Sequence, residues 1–117
     1  MKLDRSKLLK DLKKAFPEIK PFINAEEGLL DFEVRVFYLF TQKLINSGET
    51  DKVRICFNIA DNYYRNGNSK VQHAIGVSYV ECLEFKNTKK NIREWAWDMF
   101  PSALKEEYVS FHGKPGI

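Results

Sequence analysis

Apolar positions recur along much of the chain at the three- and four-residue steps of amphipathic helices, and the pattern is densest between residues 53 and 85. Val53, Cys56, Phe57, Ala60 and Tyr64 form one stripe, which the polar stretch Arg65-Asn66-Gly67-Asn68-Ser69 interrupts; Val71, Ala74, Ile75, Ser78 and Cys82 form a second. Val77, Tyr79, Leu83 and Phe85 widen the second stripe until only His73, Val80, Glu81 and Glu84 lie outside it. A helix that is apolar nearly all round is packed on more than one side. The pattern therefore predicts a helix from Ser69 to Phe85 at the centre of the domain, folded back on the helix before it.

The remaining elements follow in chain order. A first helix is predicted from Asp4 or Ser6 to Phe16, with Leu8, Leu9, Leu12 and Phe16 inward and Pro17 as its stop. The run from Pro17 to Phe22 carries two prolines and reads as a connector with one short turn, Ile19 and Phe22 tucking it onto the core. A second helix is expected from Glu26 or Gly28 to Ser47-Gly48, again apolar nearly all round through Leu29, Leu30, Phe32, Val34, Val36, Phe37, Leu39, Phe40, Leu44 and Ile45. Thr50 or Glu49 opens the third helix and Asn66-Gly67 closes it, after which Asn68 or Ser69 caps the fourth. Gly76 lies inside that fourth helix, where it reads as a notch for a close neighbour. Lys89 to Met99 forms a fifth helix with Ile92, Trp95, Ala96 and Met99 inward, and Pro101 opens a last one to Phe111 with Leu104, Tyr108 and Phe111 inward. The expected fold is all-α, with about six helices in antiparallel hairpins forming a bundle or a short HEAT-like array.

Composition narrows this picture. A chain of 117 residues has room for one core, so a single domain over 1–117 is expected, with 1–3 and 112–117 frayed. No apolar run approaches the roughly 20 residues needed to cross a bilayer. Lys2, Asp4, Arg5, Lys7 and Lys10 interrupt any apolar segment of a secretion signal, so a cytoplasmic location and no membrane association are expected. Cys56 and Cys82 fall on the apolar sides of the central helices and are expected as reduced, buried small hydrophobes. With no Cys or His partner at ligand spacing they carry no metal signal, and no cofactor motif accompanies them.

Three groups of residues are candidates for chemistry. His73, Glu81 and Glu84 share the polar arc of the fourth predicted helix, with Asp61 and Asn62 opposite, and could exchange protons; no nucleophile or oxyanion motif accompanies them, so a solvated strip and no enzyme is the expectation. His112, close to the end, is given no role. Lys7, Lys10, Lys13 and Lys14 make the first helix basic on its outer side, and a nucleic-acid surface would need them to join Lys89, Lys90 and Arg93 in one patch. The net charge of +3 is too small to require such a partner. Trp95 and Trp97 point about 200° apart on a helix. Because Trp95 lines up with Ile92 and Met99, Trp97 is expected at the surface beside Arg93 and Lys90, where it would anchor a protein partner.

Several blocks are similar to a bacterial family of small helical proteins whose domain has no known function. They are Gly28-Leu29-Leu30 with Val36-Phe37-Tyr38-Leu39-Phe40-Thr41-Gln42, Arg65-Asn66-Gly67-Asn68 with the stretch from Val71 to Glu81, and the stretch from Met99 to Tyr108. These are core and turn positions, so the resemblance speaks to the fold, and it implies no catalytic residue. The family is associated with toxin-immunity gene neighbourhoods, which implies a binding role as an immunity or accessory protein. Inhibitors of nuclease toxins are usually acidic mimics of nucleic acid, whereas this chain is mildly basic. The resulting order of expectations is a non-enzymatic protein-binding module first and a nucleic-acid-binding domain second, with the acid/base enzyme last.

Overall fold

Asp4 opens the first helix by accepting the Lys7 backbone N–H at 2.9 Å, which satisfies one of the donors a helix start leaves unpaired. The computed structural model describes residues 2–26 and 28–113. Helix α1 (Arg5–Ala15) buries Leu8, Leu9 and Leu12 and stops before Pro17, as expected. The segment after it is more regular than a connector. A 3-10 turn (Pro17–Ile19) leads directly into α2 (Lys20–Ala25), because Pro21 falls in the first turn, where a missing N–H costs nothing. Ile19 and Ile23 take the inner side of this short helix, and Phe22 is left outside at 64% exposure rather than tucked in.

Helix α3 (Leu30–Asn46) starts later than Glu26 or Gly28 because Gly28 sits at φ 85°, a left-handed conformation that no α-helix contains. Its far end is the expected glycine stop, with Gly48 at φ 72°. Helix α4 (Thr50–Asn66) has the predicted bounds and buries Tyr63 alongside Val53, Cys56, Phe57 and Ala60, leaving Tyr64 half-buried. Asn68 is the cap of α5 (Ser69–Ser78), accepting from the Val71 N–H at 2.9 Å.

Helix α5 ends seven residues before Phe85, and this is the largest departure from the sequence pattern. Tyr79 leaves helical geometry, stacks on Phe37 with ring centroids 4.4 Å apart and donates its hydroxyl to Thr41 Oγ1 at 3.0 Å. A 3-10 turn (Val80–Cys82) follows. From Leu83 to Lys86 the chain is non-helical and alternates, Leu83 and Phe85 inward, Glu84 and Lys86 outward. The Gln42 side chain holds it in place: its Oε1 accepts the Glu84 N–H at 2.8 Å and its Nε2 donates to the Glu84 carbonyl at 3.2 Å. Helix α6 (Glu94–Met99) is correspondingly shorter than the expected Lys89 to Met99, and Ile92, expected inward, lies before it and is exposed. Helix α7 (Ser102–His112) buries Leu104 and Tyr108 but exposes Phe111.

The fold is therefore all-α, with seven α-helices among the described residues. Helices α3, α4 and α5 pack on one another; α1, α6 and α7 cover α4, and α2 covers α3. The Cα radius of gyration of 13.4 Å is that of a closed bundle, for which about 13 Å is expected at this length. The fraying expected at residues 1–3 does not reach Leu3: its N–H donates to the Asn66 carbonyl at 2.9 Å and its carbonyl accepts the Asn68 N–H at 2.8 Å. Residues 114–117 of the expected C-terminal fray, like Met1, lie outside the described residues.

Candidate functional site

Helix α3 has more apolar surface than the bundle can cover. Val34, Phe37, Leu44 and Ile45 face the core, while Phe32 and Leu39 on the opposite side are 54% and 53% exposed and Val36 is half-buried between them. Beside this outer stripe runs an open groove of about 390 Å³ lined by Ile19, Phe22, Val36, Leu39 and Phe40, with Glu18 and Lys43 as its charged lips. Phe40 is fixed by edge-on contact with Phe16, ring centroids 4.9 Å apart, so one wall is anchored in the core. The mostly apolar lining suits an apolar side chain of another molecule. Val36, Leu39 and Phe40 belong to the apolar pattern expected of a core helix, and Ile19 is buried as expected while Phe22 is not; the signal for a surface role is that α3 is apolar all round and yet follows an element as short as α2.

The three residues expected to anchor a partner are not presented together. Trp97 is half-buried in an aromatic cluster, with ring centroids 5.3 Å from Phe85 and Tyr108 and 6.0 Å from Phe100, and the Lys105 ammonium sits 5.3 Å above its ring. Trp95 is half-buried as well and donates its indole N–H to the Ile92 carbonyl at 2.8 Å. Arg93 is 7% exposed; its Nε donates to Asn46 Oδ1 at 2.8 Å and its Nη1 to the Lys86 carbonyl at 3.0 Å. Arg93 thus ties the segment before α6 to the end of α3. Only Lys90 is freely exposed.

The proposed acid/base trio is also divided. Glu84 lies on the extended segment and faces Arg93 at 3.7 Å, away from the other two. Asp61 and Asn62 are turned to their own helix, pairing with Arg65 and Asn66. Glu81 is instead joined by two residues of α7 to which sequence spacing gave no role. It shares a hydrogen bond with the Glu107 carboxyl, and its backbone carbonyl is 2.6 Å from His112 Nε2. Burial first, then the Glu107 hydrogen bond and charge, raise the Glu81 carboxyl above its ordinary value, against the opposing pull of His112 and His73. Tyr64 donates to Glu107 Oε1 at 3.2 Å, and its hydroxyl is raised by burial and by the same carboxylates. Gly76 is the expected notch, since a Cβ there would stand 3.1 Å from Glu107 Oε1. The cluster thus sets the Glu81 carboxyl, on the 3-10 turn, against the Glu107 carboxyl of α7. Among the described residues no group of three or more His, Cys, Asp or Glu is placed to hold a metal ion.

The basic residues likewise separate. Lys7 pairs with Asp11 at 3.3 Å, Lys14 borders a different surface near Ile55 and Tyr63, and Arg93 is buried, so the continuous patch required for a nucleic-acid surface is not assembled. Cys56 is buried, which pushes its thiol up to about 12; Cys82 is half-buried rather than fully covered, and both are free.

Residues 9–113 match the family described as Domain of unknown function (DUF7674). The chain belongs to this family. No curated protein and no solved structure matches it. The DUF7674 match takes in both walls of the α2–α3 groove and the whole Glu81–Glu107–His112 cluster. The family description assigns neither an activity nor a partner. Among the described residues of this DUF7674 chain, no helix is long and apolar enough to cross a membrane.

Proposed function

We propose that this DUF7674 chain is a non-enzymatic, cytoplasmic protein-binding module whose α2–α3 groove receives an apolar segment of a partner protein. The observation that carries this reading is the exposure of Phe22 and Leu39 on the two walls of one open groove, with Phe32 exposed about two turns before Leu39 on the same side of α3. Contiguous apolar surface of that kind is uncommon on a monomer and marks interaction sites. In its narrower form the proposal is that the module is a bacterial immunity or accessory protein that occludes a toxin, a role supported by the family resemblance of the turn and core blocks. Trp97 passes its role as anchor to Phe22 and Leu39, since its ring is already half spent inside the domain.

The test is co-purification of the tagged chain with the products of its neighbouring genes. A stoichiometric protein should be retained by the unchanged chain and lost with the double variant Phe22→Ser, Leu39→Ser, whose thermal unfolding should be nearly unaltered because both side chains are exposed. Each anchor should be worth about 1–2 kcal/mol of binding. Retention of the partner by the double variant, or recovery of nucleic acid without protein, would remove this reading.

A further inference from the structure

A second cleft, of about 470 Å³, runs between α1 and α2 on a different part of the surface and is lined by Ser6, Lys10, Lys13, Lys20 and Asn24, with Leu9 and the Arg5–Glu33 pair below. Lys10 and Lys13 share one side of α1 at a three-residue step, and Lys20, the first residue of α2, is brought to them by the tight 3-10 turn between the helices. None of these three ammonium groups has an ion-pair partner among the described residues. Among the described residues the one carboxylate lining the cleft, Glu33, is engaged by Arg5 through two hydrogen bonds of 2.7 Å. Three ammonium groups lining one cleft, without an ion-pair partner among the described residues, make an arrangement that favours an anion.

We propose that the α1–α2 cleft binds a compact, multiply charged phosphate group. The lining favours a compact, highly charged anion. Lysine ammonium groups act as point charges with rotatable donors that can each meet a different oxygen of a highly charged phosphate, while the one arginine, whose flat fork would grip a carboxylate or a phosphate in two bonds, is already spent on Glu33. Among the described residues no aromatic ring lines the cleft, so they offer no platform on which a base could stack. A duplex needs cations spread along several phosphates, and the two other lysines of α1 do not extend the row: Lys7 is paired with Asp11, and Lys14 borders a different surface. The ligand is therefore a short run of phosphates rather than a nucleic acid. Ser6 and Asn24 add neutral hydrogen-bonding groups at the edges.

Titration calorimetry with inorganic tripolyphosphate on the full chain tests the idea. Saturable binding in near-physiological salt is expected, weakened roughly tenfold by Lys13→Gln and by Lys20→Gln, the loss that follows from removing one charge-assisted hydrogen bond. Lys14→Gln, which removes the same charge outside the cleft, should leave binding within about twofold, since screening confines exposed charges to short range. Unchanged thermal unfolding of the variants separates lost binding from lost folding. Absence of saturable binding at millimolar probe overturns the proposal. So does an equal loss with Lys14→Gln, which would reveal diffuse charge, or tighter binding of a DNA or RNA duplex that Lys14→Gln weakens as much as Lys13→Gln. The outcome is independent of the α2–α3 groove, which the lysine variants leave intact.

Discussion

Burying the Glu33 carboxylate to 1% exposure inside the first turn of α3 would cost several kcal/mol if its charge were unmet. Arg5, 28 positions earlier, meets it with both a Nε and a Nη2 hydrogen bond. Removing one partner of such a pair is far worse than removing both, because the single change strands a buried charge. Arg5→Met should therefore destabilise the domain by about 3 kcal/mol, towards the lower end of the usual range because the guanidinium itself is partly exposed and screened. The double variant Arg5→Met, Glu33→Leu should regain most of that loss in chemical denaturation. A single variant within about 0.5 kcal/mol of the unchanged chain, or a double variant worse than the single, would show that the pair does not carry the burial of Glu33. Nothing in the local pattern could have announced this pair, since Glu33 reads as a polar gap between Phe32 and Val34 and its partner lies on another helix. Arg93 was misplaced for the same reason: a basic residue near a tryptophan suggests a surface, and only the fold supplies Asn46 to turn it inward.

Elements whose ends are written in the local chain were legible, and those ended by a distant side chain were not. Asp4 and Pro17 bound α1, Gly48 stops α3, and Asn68 caps α5, each through backbone chemistry that a short window contains. The end of α5 depends instead on Tyr79 stacking against Phe37, on Thr41 accepting its hydroxyl and on Gln42 serving the Glu84 backbone, all from α3. In the sequence, Leu83-Glu84-Phe85-Lys86 alternates with period two, but those apolar residues also fit the broad arc of a helix, and the arc's excessive width was the sign that two elements had been merged. The two Gln42 bonds to this segment are each worth about 0.5–1.5 kcal/mol net. Gln42→Ala should accordingly cost about 1–2 kcal/mol and speed amide exchange at Glu84, while the amides of α4 keep their protection. Unchanged exchange at Glu84 would mean that Leu83 and Phe85 hold the segment by packing alone.

At the scale of the whole molecule, the pattern of apolar residues identified an all-α domain with α4 and α5 near its centre, yet it could not say which apolar faces would find cover. Leu39 and Phe32 on α3 look no different in sequence from Val34 and Phe37, because periodicity counts faces and not neighbours. The α2–α3 groove was therefore hidden among expected core residues. The Glu81 cluster was half visible, through His73 and Glu81, and half hidden, because Glu107 and His112 come from the helix that closes the bundle over α4 and α5. That closure carries a dependence on pH. Glu81 is faced from α7 by Glu107 and His112, from α5 by His73 and from α4 by Tyr64, with Cys82 beside it in its own turn. Burial and Glu107 raise its folded value above the ordinary 4.5, so the folded chain holds this proton more tightly than the unfolded chain does. By linkage, the contribution of Glu81 to stability is fully present below the unfolded value and is lost as pH rises through the raised folded value. Other carboxylates titrate too, so the difference between two variants isolates the effect. Glu107→Gln removes the opposing charge while its amide oxygen still accepts from Tyr64. Thermal unfolding should show Glu107→Gln gaining on the unchanged chain steadily as pH is raised from 4.5 towards neutrality. Parallel curves over that range would mean that the two carboxyl groups do not share a proton and that α7 is held by Leu104 and Tyr108 without electrostatic opposition.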